Sequence, residues 1–406
     1  MPRVSSSNMN CADNNMKILT ISTLYPNPLQ PQHGIFVETR MRKLKQRYPE
    51  LDITVIAPCP SRSMLVRHSD SILPEMRNGI RVFHPAYLTV PLLGMYLNPF
   101  TLYHSIKAQF KQLLAQGERF DVIDAHYIYP DTVAASWLAQ EFNLPLVATA
   151  RGSDIHLLPD YRIPRWQIKR TLAKVDTAIG VCSDLVTRMQ RLQPKLQHSL
   201  VIRNGVDLEL FYPIAARDQL RDQLGYTNFA ILCVGRLVEL KGLHKVIDAI
   251  QSIDDVTLTL IGDGPQKTAL QQQINRLGLQ GRVRILAPLA QAALREHYNA
   301  ADCLVLASSR EGWANVLLEA MACGCPVIST PAGGSPEVVA AQSGGIVTDG
   351  FSTEAIKAAI TQLRQHYPSR EAVHSYAKNL SWQQSIELLK TTFDRYADKT
   401  QACQHD

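Results

Sequence analysis

Two carboxylates, Glu311 and Glu319, stand eight residues apart in the stretch EGWANVLLEAMACGCPVIST. The run ADCLVLASS before them reads as a strand, Ser308 to Gly312 as its turn, and a helix starts near Asn315. Glu311 then belongs at a strand's mouth, and the N–H groups of the helix start can face a phosphate. Glu319 lies among Leu317, Leu318, Ala320 and Met321, where an unpaired acid would be costly to bury. A ribose edge would offer it two hydroxyl donors. The competing reading is a surface glutamate on an amphipathic helix.

Other strand ends repeat the pattern. FAILCV is followed by Gly235-Arg236, and Lys241-Gly242 opens the next helix. An Arg and a Lys at such a junction can clamp a diphosphate beside a helix N-terminus, although two solvated cations would look the same. Gly262 in LIGDGP allows close main-chain approach, or an ordinary turn. In the first half, YPNPLQPQHG leads to Gly34, His126 closes FDVIDAH, and Arg151 and Asp154 follow LPLVATA.

These positions need a scaffold of parallel strands. MKILTIST, DITVIAP, FDVIDAH, LPLVATA, DTAIGVC and HSLVIRNGVD form one array. FAILCVGRL, DVTLTLIGDGP, RVRILAP, ADCLVLASS, CPVIST and GGIV form a second. Continuous apolar runs of this kind suit sheets covered on both faces by helices. The expected fold class is α/β, with two facing Rossmann-like domains whose ligands lie beyond the strands' carboxyl ends. We assign 1–15 as a disordered tail, 16–208 as the first domain and 209–381 as the second, with a helix at 382–400 crossing back to the first.

Composition is consistent with two packed domains, at 46% hydrophobic and 19% charged residues in 406. The net charge of +6 is uneven, with 24 Lys and Arg against 16 Asp and Glu in 1–208, but 18 against 20 in 209–406. The helix after Gly34 carries five basic residues from Arg40 to Arg47. This suggests contact with an anionic membrane surface, beside the plainer reading of a solvated face. The stretch Tyr87 to Tyr103 is apolar, aromatic and broken by Pro and Gly; burial is the expectation for it, with an exposed surface for a lipid-linked acceptor as the alternative. No apolar window reaches the ~20 residues of a membrane span, and the N-terminus lacks a signal-peptide pattern. Eight cysteines without CxxC read as reduced thiols, with Cys323 and Cys325 in the core. The protein is expected to be cytoplasmic, with peripheral association at the inner face of the plasma membrane.

The chain from about Met16 onward resembles the retaining glycosyltransferases of the GT-B fold, family 4. Its most specific mark is E-x7-E, met by Glu311 and Glu319; GRLVELKG, LIGDGP, NGVD and CGCPVIST-PAGG match in order. EGWANVLLEAMACG also resembles bacterial transferases of cell-surface polysaccharide synthesis, the teichuronic-acid type among them. The resemblance implies that Glu311 binds donor-sugar hydroxyls and Glu319 the ribose. Arg236 and Lys241 would hold the diphosphate, with Gly34, Gly262, Gly312 and the backbone of Asn315, Val316 and Leu317. The base would lie near Ala287 to Leu289. His126 would touch the sugar at the reaction centre, and Arg151 and Asp154 would face the acceptor. Two departures stand out: Arg151-Gly152 replaces the usual His-Gly, and Ala314 replaces a Gly.

The implied reaction moves a sugar from a nucleotide-sugar, with UDP the expected carrier, to a saccharide or lipid-linked acceptor. The chain has no Asp-x-Asp, so fixed cations and amides are expected to stabilise the leaving phosphate without a metal or other cofactor. The alternative within the fold is a nucleotide-sugar epimerase. A dinucleotide oxidoreductase would want GxGxxG after the first strand, which is missing. Nucleic-acid binding finds no zinc spacing and no RNP-like run.

Overall fold

The computed structural model describes residues 15–61, 72–90, 93–339 and 344–402, with side chains to 397. The expected disordered tail falls almost wholly outside the described residues. In the first half the strands are β1 (Lys17–Ile21), β2 (Asp52–Ile56), β3 (Cys59–Ser61), β4 (Ile72–Arg77), β5 (Ile80–His84), β6 (Ala86–Leu88), β7 (Val122–His126), β8 (Leu146–Ala150), β9 (Thr177–Gly180) and β10 (Ser199–Val201). Eight of them form a sheet in the order β10-β9-β8-β7-β1-β2-β5-β4, and β3 pairs with β6. Every residue of β7 and β8 is buried, as strands covered on both faces require.

The sheet is parallel except at one edge, where β4 runs antiparallel to β5. This corrects the expectation of a purely parallel array. The connection is Asn78-Gly79, both at positive φ, 52° and 76°, the geometry that two-residue hairpins favour.

The second sheet comprises β11 (Phe229–Val234), β12 (Val256–Ile261), β13 (Val283–Leu286), β14 (Cys303–Leu306), β15 (Val327–Ser329) and β16 (Gly345–Val347). Its order is β13-β12-β11-β14-β15-β16, parallel throughout. Strand order reverses between β1 and β7 in one sheet and between β11 and β14 in the other, which opens a crevice at each carboxyl edge. Cys323 and Cys325 are free and buried.

The helix Trp382–Ala402 packs on the helix Ile35–Arg47. Trp382, Ile386, Leu389, Phe393 and Tyr396 complete a core with Ile18, Val37, Met41 and Val55. The chain therefore crosses between domains twice, and the crossings touch: Val206 bridges Ser381, and its N–H donates to Leu380 O at 2.9 Å. A Cβ on Gly205 would lie 2.3 Å from Trp382 N, so only glycine lets the two segments meet.

The basic run of Ile35–Arg47 does not form a free cationic face. Arg40 is fully buried. Arg42 and Lys43 pair with Asp207 at 2.6 and 3.0 Å, and Lys43 also reaches Glu209 at 3.0 Å. Lys45 donates to the carbonyls of Pro49 and Leu51. Arg47 alone of the five stays exposed, over the Tyr48 ring at 5.6 Å, so the expected membrane contact through this helix is withdrawn: one exposed cation is not a basic face. The expectation of burial also fails for part of Tyr87–Tyr103: Leu93 and Phe100 are 52% and 50% exposed.

Candidate active site

In the second domain, the turn after β14 and the helix Asn315–Ala322 set the two acids apart. Lys241 Nζ meets Glu311 Oε1 at 2.5 Å, both side chains partly buried. Lys241 is held at the end of a 3-10 turn by Gly242 at φ 60°, where a Cβ would lie 2.2 Å from Ala307 O. Gly333 serves Glu311 in the same way, since a Cβ there would strike Glu311 O at 1.8 Å. The loops after β11, β14 and β15 thus converge on this ion pair.

Asn315–Ala322 begins with no side-chain cap on its N-terminus, leaving its positive end for a ligand. Asn315 and Val316 are half-buried; Leu317 is buried in the core, so its main chain alone can serve. Glu319 is half-buried about one turn on, and the Tyr298 hydroxyl donates to its Oε2 at 2.8 Å. Desolvation pushes the Glu319 carboxyl up to about 7, against the lowering effect of that hydroxyl. Tyr298 was not foreseen; nothing local in NAADC marks it as a partner of an acid twenty-one residues later.

Arg236 is exposed after β11. Facing it is His33, whose pKa is lowered by desolvation first and by the Arg236 charge as well. The loop before Gly34 therefore approaches Arg236 from the opposite domain. Gln32 in that loop donates to Leu289 O at 3.2 Å, on the main chain expected to read the base. Gly34 itself sits at φ 66°, where a Cβ would strike Leu24 C at 2.1 Å. Gly262 is matched to its neighbour strand, a Cβ there falling 1.9 Å from Gly235 O. Both glycines are required by chain packing around the cleft.

The first domain's site residues turn inward. His126 is fully buried, its Nε2 bonded to Asp124 Oδ2 at 2.8 Å and its Nδ1 to Arg151 Nη2 at 2.6 Å. Because a guanidinium only donates, Nδ1 accepts and Nε2–H donates. Burial pushes the His126 imidazole down to about 4, leaving it neutral near pH 7. The expectation that His126 touches the sugar is corrected: both ring nitrogens are engaged and none of its surface is open.

Arg151 also donates to Asn204 Oδ1 at 2.9 Å and lies over the Phe36 ring at 5.2 Å. Asp154 is buried too, accepting main-chain N–H groups of Ile128 and Gly152 at 2.7 Å each, and of Arg151 at 3.1 Å. Asp154 is thereby shut away from any acceptor, while Arg151 stays half-buried with its guanidinium engaged by His126 and Asn204. Asp154 ties the segment after β7 to the turn after β8, and Arg151 steers His126. Arg40, counted in the sequence only as one of five basic residues, lies in the same cluster and donates to Thr149 Oγ1 at 3.5 Å.

The two domains meet over this cluster. A Cβ on Gly312 would lie 2.0 Å from Arg151 O, and one on Gly152 3.2 Å from Gly312 N. The Trp313 indole donates to Asn204 O at 2.9 Å, and Asn204 Nδ2 to Asn315 Oδ1 at 3.2 Å. Ala314, in place of the family's Gly, is 4% exposed within this contact. Glu337 accepts from Ser183 N–H at 2.8 Å and pairs with Arg203 at 2.5 Å. Among the described residues no cluster of three or more His, Cys, Asp or Glu could hold a metal ion.

Two crevice-bearing sheets facing one another, with the Lys241–Glu311 pair at the cleft, have the architecture of the GT-B fold. The family model described as Glycosyltransferase Family 4 matches residues 37–210, and that for glycosyl transferases group 1 matches 217–380. TuaC of Bacillus subtilis (strain 168), named for teichuronic acid biosynthesis, is 31% identical over 79% of this chain and 82% of its own. The chain belongs to the family 4 glycosyltransferases. Sucrose-phosphate synthase from Thermosynechococcus elongatus superposes with TM-score 0.77 at 19% identity, over 94% of this chain and 99% of that one. Anabaena Alr3699/HepE in complex with UDP gives 0.72 at 21% identity, over 94% and 100%.

Proposed function

We propose that this glycosyltransferase is a retaining, metal-independent enzyme that moves a hexose from a UDP-sugar to a growing cell-surface saccharide. The observation that carries the reading is the Lys241–Glu311 pair at the mouth of an uncapped helix whose next turns hold Glu319. A bound donor would break that pair and use both halves, Lys241 against the diphosphate and Glu311 against sugar hydroxyls. Arg236 and the helix start would share the charge that develops on the leaving phosphate. UDP is the proposed carrier because the HepE neighbour is solved with UDP and with UDP-glucose, and the saccharide acceptor follows the TuaC likeness.

In the proposed step the C1–O bond to phosphate breaks and the C1–O bond to the acceptor forms on the same face. The acceptor hydroxyl's proton passes to the departing phosphate oxygen. His126 is neutral and enclosed, so it holds the floor of the cleft in shape and exchanges no proton. The epimerase alternative gains no support from TuaC, which is named as a glycosyltransferase, or from the two structural neighbours, neither of which is named as an epimerase.

The test is a transfer assay with a panel of nucleotide-sugars, with and without EDTA. Glu311→Ala and Lys241→Ala should each lose about 10²–10³-fold in kcat, and chelation should leave the rate unchanged. Wild-type rates in both variants would overturn the site, and sugar interconversion without an acceptor would restore the epimerase.

A further inference from the structure

The first domain carries an apolar surface that the transfer chemistry does not use. In and before the helix Gly94–Ala115, Leu93, Tyr96, Leu97 and Phe100 are 52, 36, 39 and 50% exposed. The neighbouring helix Arg162–Leu172 and the residue before it add Tyr161, Ile163 and Trp166, at 41, 49 and 56%. Both helices pack on Val133–Glu141, leaving a groove of about 260 Å³ lined by Phe100, Val133, Trp137, Trp166 and Arg170 among others. A contiguous exposed patch of this kind marks a binding surface.

Its charge narrows the partner. Arg162, Arg165, Lys169 and Arg170 are all exposed, and 162–172 contains no acid. Arg170 lies over the Trp166 ring at 4.8 Å. Of the acids nearby, Asp160 is exposed at the start of this helix and Glu141 is paired with Lys107 at 2.5 Å. Aromatic rings flanked by guanidinium and ammonium groups suit the headgroup layer of a bilayer, where rings partition and cations meet phosphates. No described helix is long and apolar enough to cross a membrane, so the fit is to its surface.

Position agrees with this. The Tyr129 hydroxyl, beyond the carboxyl end of β7, donates to Met95 O. Arg162–Leu172 follows the turn after β8. The exposed apolar residues lie in or just before the first two turns of both helices, and Lys169 and Arg170 extend the patch by one further turn.

We propose that this face docks on an anionic phospholipid bilayer. Tyr161, Trp166 and Phe100 enter at headgroup level, and Arg162, Arg165, Lys169 and Arg170 contact lipid phosphates. The docked molecule presents the first-domain half of its cleft at the membrane. The inference rests on the patch and extends the transferase reading only by locating its acceptor.

The test is cosedimentation of the full chain with vesicles of phosphatidylcholine, alone or mixed with phosphatidylglycerol, and quenching of tryptophan fluorescence by brominated lipid. Trp313 and Trp382 are 7% and 6% exposed, so quenching reports on Trp137 and Trp166. Wild type should bind the mixed vesicles, lose binding as salt rises, and be quenched. Replacing Arg165, Lys169 and Arg170 by Gln should lower partitioning by roughly two orders of magnitude. Phe100→Ala with Trp166→Ala should weaken it at every salt concentration. All these variants should keep the wild-type melting temperature and transfer to a soluble acceptor. No vesicle binding at low salt, or equal binding by wild type and both variants, overturns the proposal. Vesicle binding is read without sugar transfer, so an inactive protein that docks would refute the proposed reaction and leave this surface standing.

Discussion

Glu319, proposed to hold the ribose, couples that contact to a proton. Desolvation disfavours the charge and pushes its carboxyl up from an ordinary 4.5 to about 7. Ribose hydroxyls donating to it would favour the ionised form, so donor binding releases a proton. The sign follows: affinity for a UDP-sugar should rise as pH climbs toward about 7 and then level off. Glu319→Gln should weaken binding by about 10–150-fold, the loss of hydrogen bonds to a charged group, and flatten the profile. Calorimetric titration from acid to alkaline pH checks this, and an unchanged slope in the variant would remove Glu319 from the ribose contact. In the free protein the same raised value works in reverse. Its contribution to stability is full below pH 4.5 and is lost as pH rises through 7.

Loops meeting across the cleft are held apart by nothing larger than hydrogen. The turn Arg151-Gly152 touches Gly312, and a single methyl on Gly312 would overlap Arg151 O. Gly312→Ala should therefore keep the domains from closing while leaving each core intact. Because a misplacement of about 1 Å can cost ~10²-fold, kcat should fall at least tenfold with little change in melting temperature; a wild-type kcat would show that closure does not depend on this contact. These elements also show what a single sequence reveals. The apolar runs that became β1, β2, β7 to β9 and β11 to β16 were readable because strands covered on both faces carry no polar face to confuse the period. The hairpin at Asn78-Gly79 was missed although its turn dipeptide is explicit, because its flanking strands lie at an edge and alternate only loosely. The acids of the second domain could be read because their spacing is local, within one turn and one helix. The inward turn of His126, Arg151 and Asp154 was not, because it depends on Arg40, Asp124 and Asn204, brought together only by the sheet.

At the scale of the whole molecule, the helix Trp382–Ala402 belongs by packing to the domain that starts the chain. Phe393 is fully buried in that core, so Phe393→Ala should cost about 3–5 kcal/mol, read as a shift in the urea midpoint. Donor affinity should change little, since most of the proposed nucleotide contacts lie in the other domain; a large coupled loss would mean that this core acts on the cleft through the loop before Gly34. The paired crossings at Gly205 and Ser381 also order events during synthesis. Ribosomes deliver the second domain's sheet before the last piece of the first domain's core exists. The nucleotide-holding half can fold while the chain is still growing, but its partner waits for the final helix to emerge. A nascent chain stalled short of residue 382 would lack Trp382, Ile386, Leu389 and Phe393 from the core that holds Ile18, Val37 and Met41.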